Sequence, residues 1–72
     1  MSRIIAERAD VIPALGEIFR RCGYEGASIA RITEETGLGK GSLYNFFPGG
    51  KEEMAEAVLA DINRWFEENI YR

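Results

Sequence analysis

SIARITEETGLGKGSLYNFFPGGK, running from Ser28 to Lys51, is the stretch that decides the fold of this chain. Ser28 is a predicted N-cap, because a serine oxygen accepts one of the orphan amides of a first helical turn. Ile29 and Ile32 then fall on one buried stripe of a short helix. Arg31 stands where the glutamate of a capping box would be, so that reciprocal bond is not available. Thr36-Gly37-Leu38-Gly39 breaks the helical period. Gly37 suits the positive φ that ends a helix, and Leu38, the one apolar residue of the turn, is its expected core anchor. A second short helix starts near Lys40 and is stopped by Pro48-Gly49-Gly50, with Leu43 and either Phe46 or Phe47 turned inward. Lys40, Gly41, Ser42, Tyr44 and Asn45 are left to face outward, a polar set without a carboxylate. Two short helices joined by so tight a turn have a well-known use, in which the second is presented to the DNA major groove.

On either side the periodicity is helical as well, so the expected fold is all-α: a three-helix bundle containing a helix-turn-helix, followed by a fourth helix. Helix one is expected from Asp10, or with an earlier turn from Ser2, to Cys22. Leu15, Ile18 and Phe19 lie on its core face, and Gly23 takes the position just beyond its end. Pro13 admits two arrangements. It sits in the first turn if Asp10 is the N-cap, or it kinks a longer helix that carries Ile4 and Ile5. The kink is favoured, since Ile4, Ile5 and Ala9 would otherwise be stranded on a tail. Tyr24 is expected to pack on the core beneath helix two. Helix four, from Lys51 or Glu52, carries Met54, Val58, Leu59, Ile62, Trp65 and Phe66, with Ile70 and Tyr71 beyond. That apolar arc is wider than packing on three helices requires. Trp65 and Phe66 are therefore read as an interface, the alternative being that helix one folds back over them.

Seventy-two residues make one domain, 1–72, that buries roughly 60% of its unfolded surface, enough for a small helical core and too little for a large ligand cavity. The net charge of -3 and pI near 4.9 argue, if averaged, against a nucleic-acid partner. The average hides an asymmetry. From Thr36 to Lys51 there is no acidic residue, whereas Glu52, Glu53, Glu56, Asp61, Glu67 and Glu68 load the last helix. Arg3, Arg8, Arg20, Arg21 and Arg31 add positive charge before the turn.

The single cysteine, Cys22, has no internal disulfide partner and reads as a small half-buried residue. No signal peptide or membrane-spanning stretch is recognisable, so a cytoplasmic protein without a membrane partner is expected. There is no histidine, which excludes Cys/His metal sites and histidine-based catalysis. The pairs Glu34-Glu35 and Glu52-Glu53 are helix neighbours that point about 100° apart and not at a common proton. No enzyme activity, catalytic residue, metal or cofactor is expected. GLGKGS is not a phosphate-binding P-loop, because glycine follows the lysine and no strand precedes it. The competing function is a small helical protein-interaction module that uses the apolar C-terminal helix and makes no DNA contact.

GYEGAS (Gly23 to Ser28), Ile32, TGLGKGSLY (Thr36 to Tyr44), Phe47 and Lys51 together resemble the N-terminal DNA-binding domain of the tetracycline-repressor (TetR) family of bacterial regulators, over about residues 3 to 66. The resemblance implies a helix-turn-helix over about residues 28–47 that binds double-stranded DNA. It implies a repressor that acts as a homodimer on a palindromic operator and lets go when a small-molecule inducer enters a separate C-terminal domain. That domain is not expected in this chain, which corresponds to a fragment or a truncated product. Carried over residue by residue, Lys40, Gly41 and Ser42 reach base edges, with Lys40 donating to guanine O6 and N7. Tyr44 and Lys51 meet phosphates, Ser28 caps helix two and meets the backbone, and Asn45 touches a base or a phosphate. The sequence departs from the family pattern at Phe46, often a histidine, at Thr33, usually alanine, and at Ala30, often arginine. Pro48-Gly49-Gly50 is one residue longer than the commonest connection, which shifts where Lys51 lands.

Overall fold

A computed structural model describes residues 7–69. They form four helices: α1 (Arg8–Gly26), α2 (Ile29–Thr36), α3 (Lys40–Phe46) and α4 (Lys51–Asn69). α1 packs on α4 and on α2, and α2 packs on α3.

The start of α1 sets aside the less favoured of the two arrangements open to Pro13, the one with Asp10 as N-cap. Glu7 is the cap, and the helix begins at Arg8. The Glu7 N–H donates to Asp10 Oδ2 at 3.0 Å, so Asp10 works from the third helical position, where a carboxylate also complements the positive end of the helix. Pro13 lies beyond the first turn, and the helix runs through it; within α1 only Gly23 has non-helical angles. Ile4 and Ile5, on which the longer helix was argued, lie outside the described residues. The expected end at Cys22 also needs correction. Gly23, at φ 75° and ψ 169°, breaks the helix, and one further turn closes when the Ala27 N–H donates to the Gly23 carbonyl at 3.1 Å. That break swings Tyr24 out of the core: its side chain is exposed, not buried beneath α2 as expected.

One core joins all four helices: Val11, Leu15 and Ile18 of α1, Ala27, Ile32 of α2, Leu43 of α3, Phe47, and Met54 and Val58 of α4. Each large side chain removed from water here contributes about 1.5–3 kcal/mol. Of the two phenylalanines after α3, Phe47 is the fully buried one and Phe46 packs at the margin. Gly16 of α1 faces Val58 of α4, and a Cβ built on it would stand in ordinary contact, 3.7 Å from Val58 Cγ1. Beyond Val58 the apolar residues of α4 lose their cover. Leu59, Ile62, Trp65 and Phe66 are exposed, at 54% for Trp65 and 43% for Phe66, and the last two rings meet edge to face at 5.4 Å. α1 does not fold over them. Ile70 and Tyr71 lie outside the described residues. No helix among those described is long and apolar enough to cross a membrane.

Candidate nucleic-acid interface

The turn between α2 and α3 is held by its own polar atoms. Ser28 Oγ accepts the Arg31 N–H at 3.1 Å, which fixes the start of α2 and leaves the hydroxyl proton free to donate elsewhere. At the other end, Thr36 Oγ1 donates to the Ile32 carbonyl at 2.7 Å and accepts the Leu38 N–H at 3.2 Å. Gly37 ends α2 at φ 77°, its N–H on the Thr33 carbonyl, in the left-handed region where a side chain costs about 1–2 kcal/mol. Leu38 packs against the core as expected. Gly39 is the N-cap of α3.

With Leu43 and Phe47 inward, α3 presents Lys40, Gly41, Ser42, Tyr44 and Asn45 to solvent. Tyr44 is 43% exposed, so it is not a core ring. It leans on the next connection, where a Cβ on Gly50 would stand 3.4 Å from Tyr44 Cε1. Lys51 follows at the first position of α4. The Pro48-Gly49-Gly50 connection thus sets Lys51 one residue beyond the glycine that Tyr44 faces. Ser28, Lys40, Gly41, Ser42, Tyr44, Asn45 and Lys51 are thus all exposed or half-buried.

The connection is pinned by Arg8, which the sequence offered only as one of several positive charges. Its Nε donates to the Phe46 carbonyl at 3.1 Å, its Nη2 to Glu53 Oε2 at 3.1 Å, and its guanidinium lies 4.6 Å from the centroid of the Phe47 ring. Glu53 Oε1 in turn accepts the Gly49 N–H at 2.6 Å. The first turn of α1 therefore fixes the last turn of α3 and the first turn of α4. Arg8 and Phe46 are 38 positions apart, and no local pattern announces such a pairing.

Ion pairing separates the cations into two kinds. All five described arginines bond carboxylates: Arg8 to Glu53, Arg20 to Glu17, Arg21 and Arg31 to Glu35, and Arg64 to Asp61. The Arg21–Glu35 contact, at 2.5 Å, braces α1 on α2. The hydrogen bond from Arg21 pulls the Glu35 carboxyl below its ordinary range, partial desolvation opposing and the Arg21 and Arg31 charges adding to the pull. Arg21 is raised in return. Each described arginine before the turn is therefore tied to a carboxylate, but Arg21 and Arg31 share Glu35, so that group keeps one net positive charge; Arg3 lies outside the described residues. Lys40 and Lys51 have no carboxylate partner among the described residues.

Known proteins share the sequence pattern of this chain. The pattern of the bacterial regulatory proteins of the tetR family matches residues 12–58, well over half of the chain. The chain belongs to the TetR family. It is similar to the HTH-type transcriptional regulator LmrA of Bacillus subtilis, at 35% identity over 88% of this chain and 34% of the relative. It is also similar to the uncharacterized HTH-type transcriptional regulator YxaF of the same organism, at 44% identity over 71% of the chain and 27% of the relative. The HTH-type transcriptional repressor AcnR of Corynebacterium efficiens is 30% identical over 79% and 30% respectively. The chain thus spans about a third of the length of the curated relatives it matches. No solved structure matches it. As a TetR-family chain, it forms the helix-turn-helix where the resemblance implied, with α2 and α3 lying between Ile29 and Phe46. The ties made by Arg8 and Glu53 are the part that the motif did not carry.

Proposed function

We propose that this chain is the DNA-reading part of a bacterial transcriptional regulator, and that α3 enters the major groove with Lys40, Gly41 and Ser42 toward base edges. The observation that carries this reading is electrostatic. Among the described residues the arginines are paired with carboxylates, and the two cations without a carboxylate partner, Lys40 and Lys51, bracket the exposed face of α3. A free ammonium there binds a base edge or a phosphate without first breaking an internal ion pair. Gly41 has nothing within 4 Å of a built Cβ, so its place on α3 lets the backbone approach a groove floor closely. Tyr44, Lys51 and the free hydroxyl proton of Ser28 supply phosphate contacts, and Asn45 reaches a base or the backbone beside it. The name of AcnR supports a repressor, and family membership supports a homodimer on a palindromic operator in the cytoplasm, with a small-molecule inducer bound elsewhere in the parent protein. The exposed Trp65 and Phe66 form an interface of that parent, or of two copies of this chain.

A mobility-shift titration with mixed-sequence duplex DNA at several salt concentrations tests the reading. Affinity that falls as salt rises supports it. Affinity absent at low salt, or insensitive to salt, leaves the protein-interaction module through α4 as the function.

A further inference from the structure

Lys51 is restrained by a ring. Its ammonium nitrogen stands 4.3 Å from the centroid of the Tyr24 ring. That ring is itself fixed: it lies parallel to Phe19, with centroids 6.0 Å and planes 9° apart, and Phe19 packs against the core. The break at Gly23 carries Tyr24 away from the course of α1 to this place. The expected place of Tyr24 is the core; the structure leaves it 47% exposed, at the margin on Phe19.

A lysine that must meet a phosphate loses rotamer freedom on binding. A carboxylate partner would restrain it beforehand but would also neutralise it and have to be displaced. An aromatic face attracts the ammonium through its quadrupole while leaving the charge and the outward N–H donors available. We propose that Tyr24 is a positioning residue for DNA binding: its ring holds the Lys51 ammonium, unneutralised, at the start of α4, where a backbone phosphate meets it. This inference rests on the DNA-binding reading of α3 and adds to it a residue outside the helix-turn-helix.

The test combines a double-mutant cycle with a measurement that needs no DNA, both on the full chain. Binding to mixed-sequence duplex DNA at low salt is compared for the native chain, Tyr24→Phe and Tyr24→Leu, each with and without Lys51→Ala. A further variant carries pentafluorophenylalanine at Tyr24, which keeps the ring shape and removes its negative face. Tyr24→Phe is expected to bind as the native chain does. Tyr24→Leu and the fluorinated ring are expected to lose about two- to fivefold, the size of an exposed cation–π contact, and to lose nothing further once Lys51 is alanine. If Tyr24→Leu does not fold, the comparison of Tyr24→Phe with the fluorinated ring decides alone. An equal loss in the Lys51→Ala background, or no loss at all, overturns the proposal. By NMR, the Lys51 ε-protons should be shielded by ring current in the native chain and in Tyr24→Phe, but not in Tyr24→Leu. Unshielded protons in a native chain that binds DNA overturn the role of Tyr24 alone. Shielded protons in a chain with no salt-dependent affinity overturn the DNA reading, and the positioning role with it.

Discussion

Lys40 and Tyr44 share the exposed side of α3 but are expected to fail differently when changed. Lys40→Ala should cost on the order of 1–3 kcal/mol on a cognate half-site and relax preference at one base pair, because it removes a donor to a base edge. Tyr44→Phe should weaken all sequences alike, since a phosphate carries no sequence information. Selection against random duplexes with each variant separates the two effects, and identical sequence profiles would show that the division is wrong. Gly37 is fixed by its backbone. Gly37→Ala should destabilise the fold by about 1–2 kcal/mol in denaturant titration, the cost of a side chain in the left-handed region. Its role was legible in the sequence, as were those of Ser28, Leu38 and Leu43, because caps, turns and period are properties of neighbours along the chain. The position of Tyr24 was not, because it depends on the angle at which Gly23 redirects the chain, and a glycine accepts many angles.

Between elements, the ties that matter join residues far apart in sequence. Arg8 holds the end of α3 and the start of α4 through two separate bonds, so Arg8→Ala should lower stability by about 1–2 kcal/mol. Arg8→Lys should not restore it, because an ammonium does not reproduce the fork that reaches a carbonyl and a carboxylate together. Equal midpoints for native and Arg8→Ala chains in urea would remove the clamp from the account. The brace between α1 and α2 depends on pH. Glu35 is held below its ordinary value chiefly by the Arg21 hydrogen bond; its contribution is therefore present above the unfolded-state value and disappears as pH falls through the lowered one. Thermal melts across the acid range should show the native chain losing more stability than Glu35→Gln, by a small margin because the pair is exposed to solvent. Helical period made the four elements legible, and the family motif gave their order. Neither shows which arginine is spoken for, because pairing is settled only when α1 is laid against the other helices.

Taken whole, the chain presents a polar face on α3, a helix with no carboxylate of its own, and an apolar, acidic stretch toward the far end of α4. A single copy meets half of a palindrome, so affinity should be weak, with a slope of log affinity against log salt of about -1 to -2 for one or two neutralised phosphates. Charged substitution of Trp65 and Phe66 should reduce self-association in sedimentation while α2 and α3 stay folded, since both rings lie outside the buried core. Unfolding of the whole domain by those changes would place them in the core instead. Two copies joined there need not present their recognition helices about 34–36 Å apart, the spacing of successive major grooves. The unequal sharing of carboxylates has a kinetic consequence as well. With Lys40 and Lys51 free of carboxylate partners near α3, and Glu67 and Glu68 at the far end of α4, a chain that is acidic on average approaches a polyanion as a dipole: the duplex repels the far end of α4 and turns the α3 end toward itself before contact. Added salt should therefore slow the association rate by erasing that orienting torque over the Debye length, a loss at the encounter that stopped-flow measurement separates from any change in dissociation.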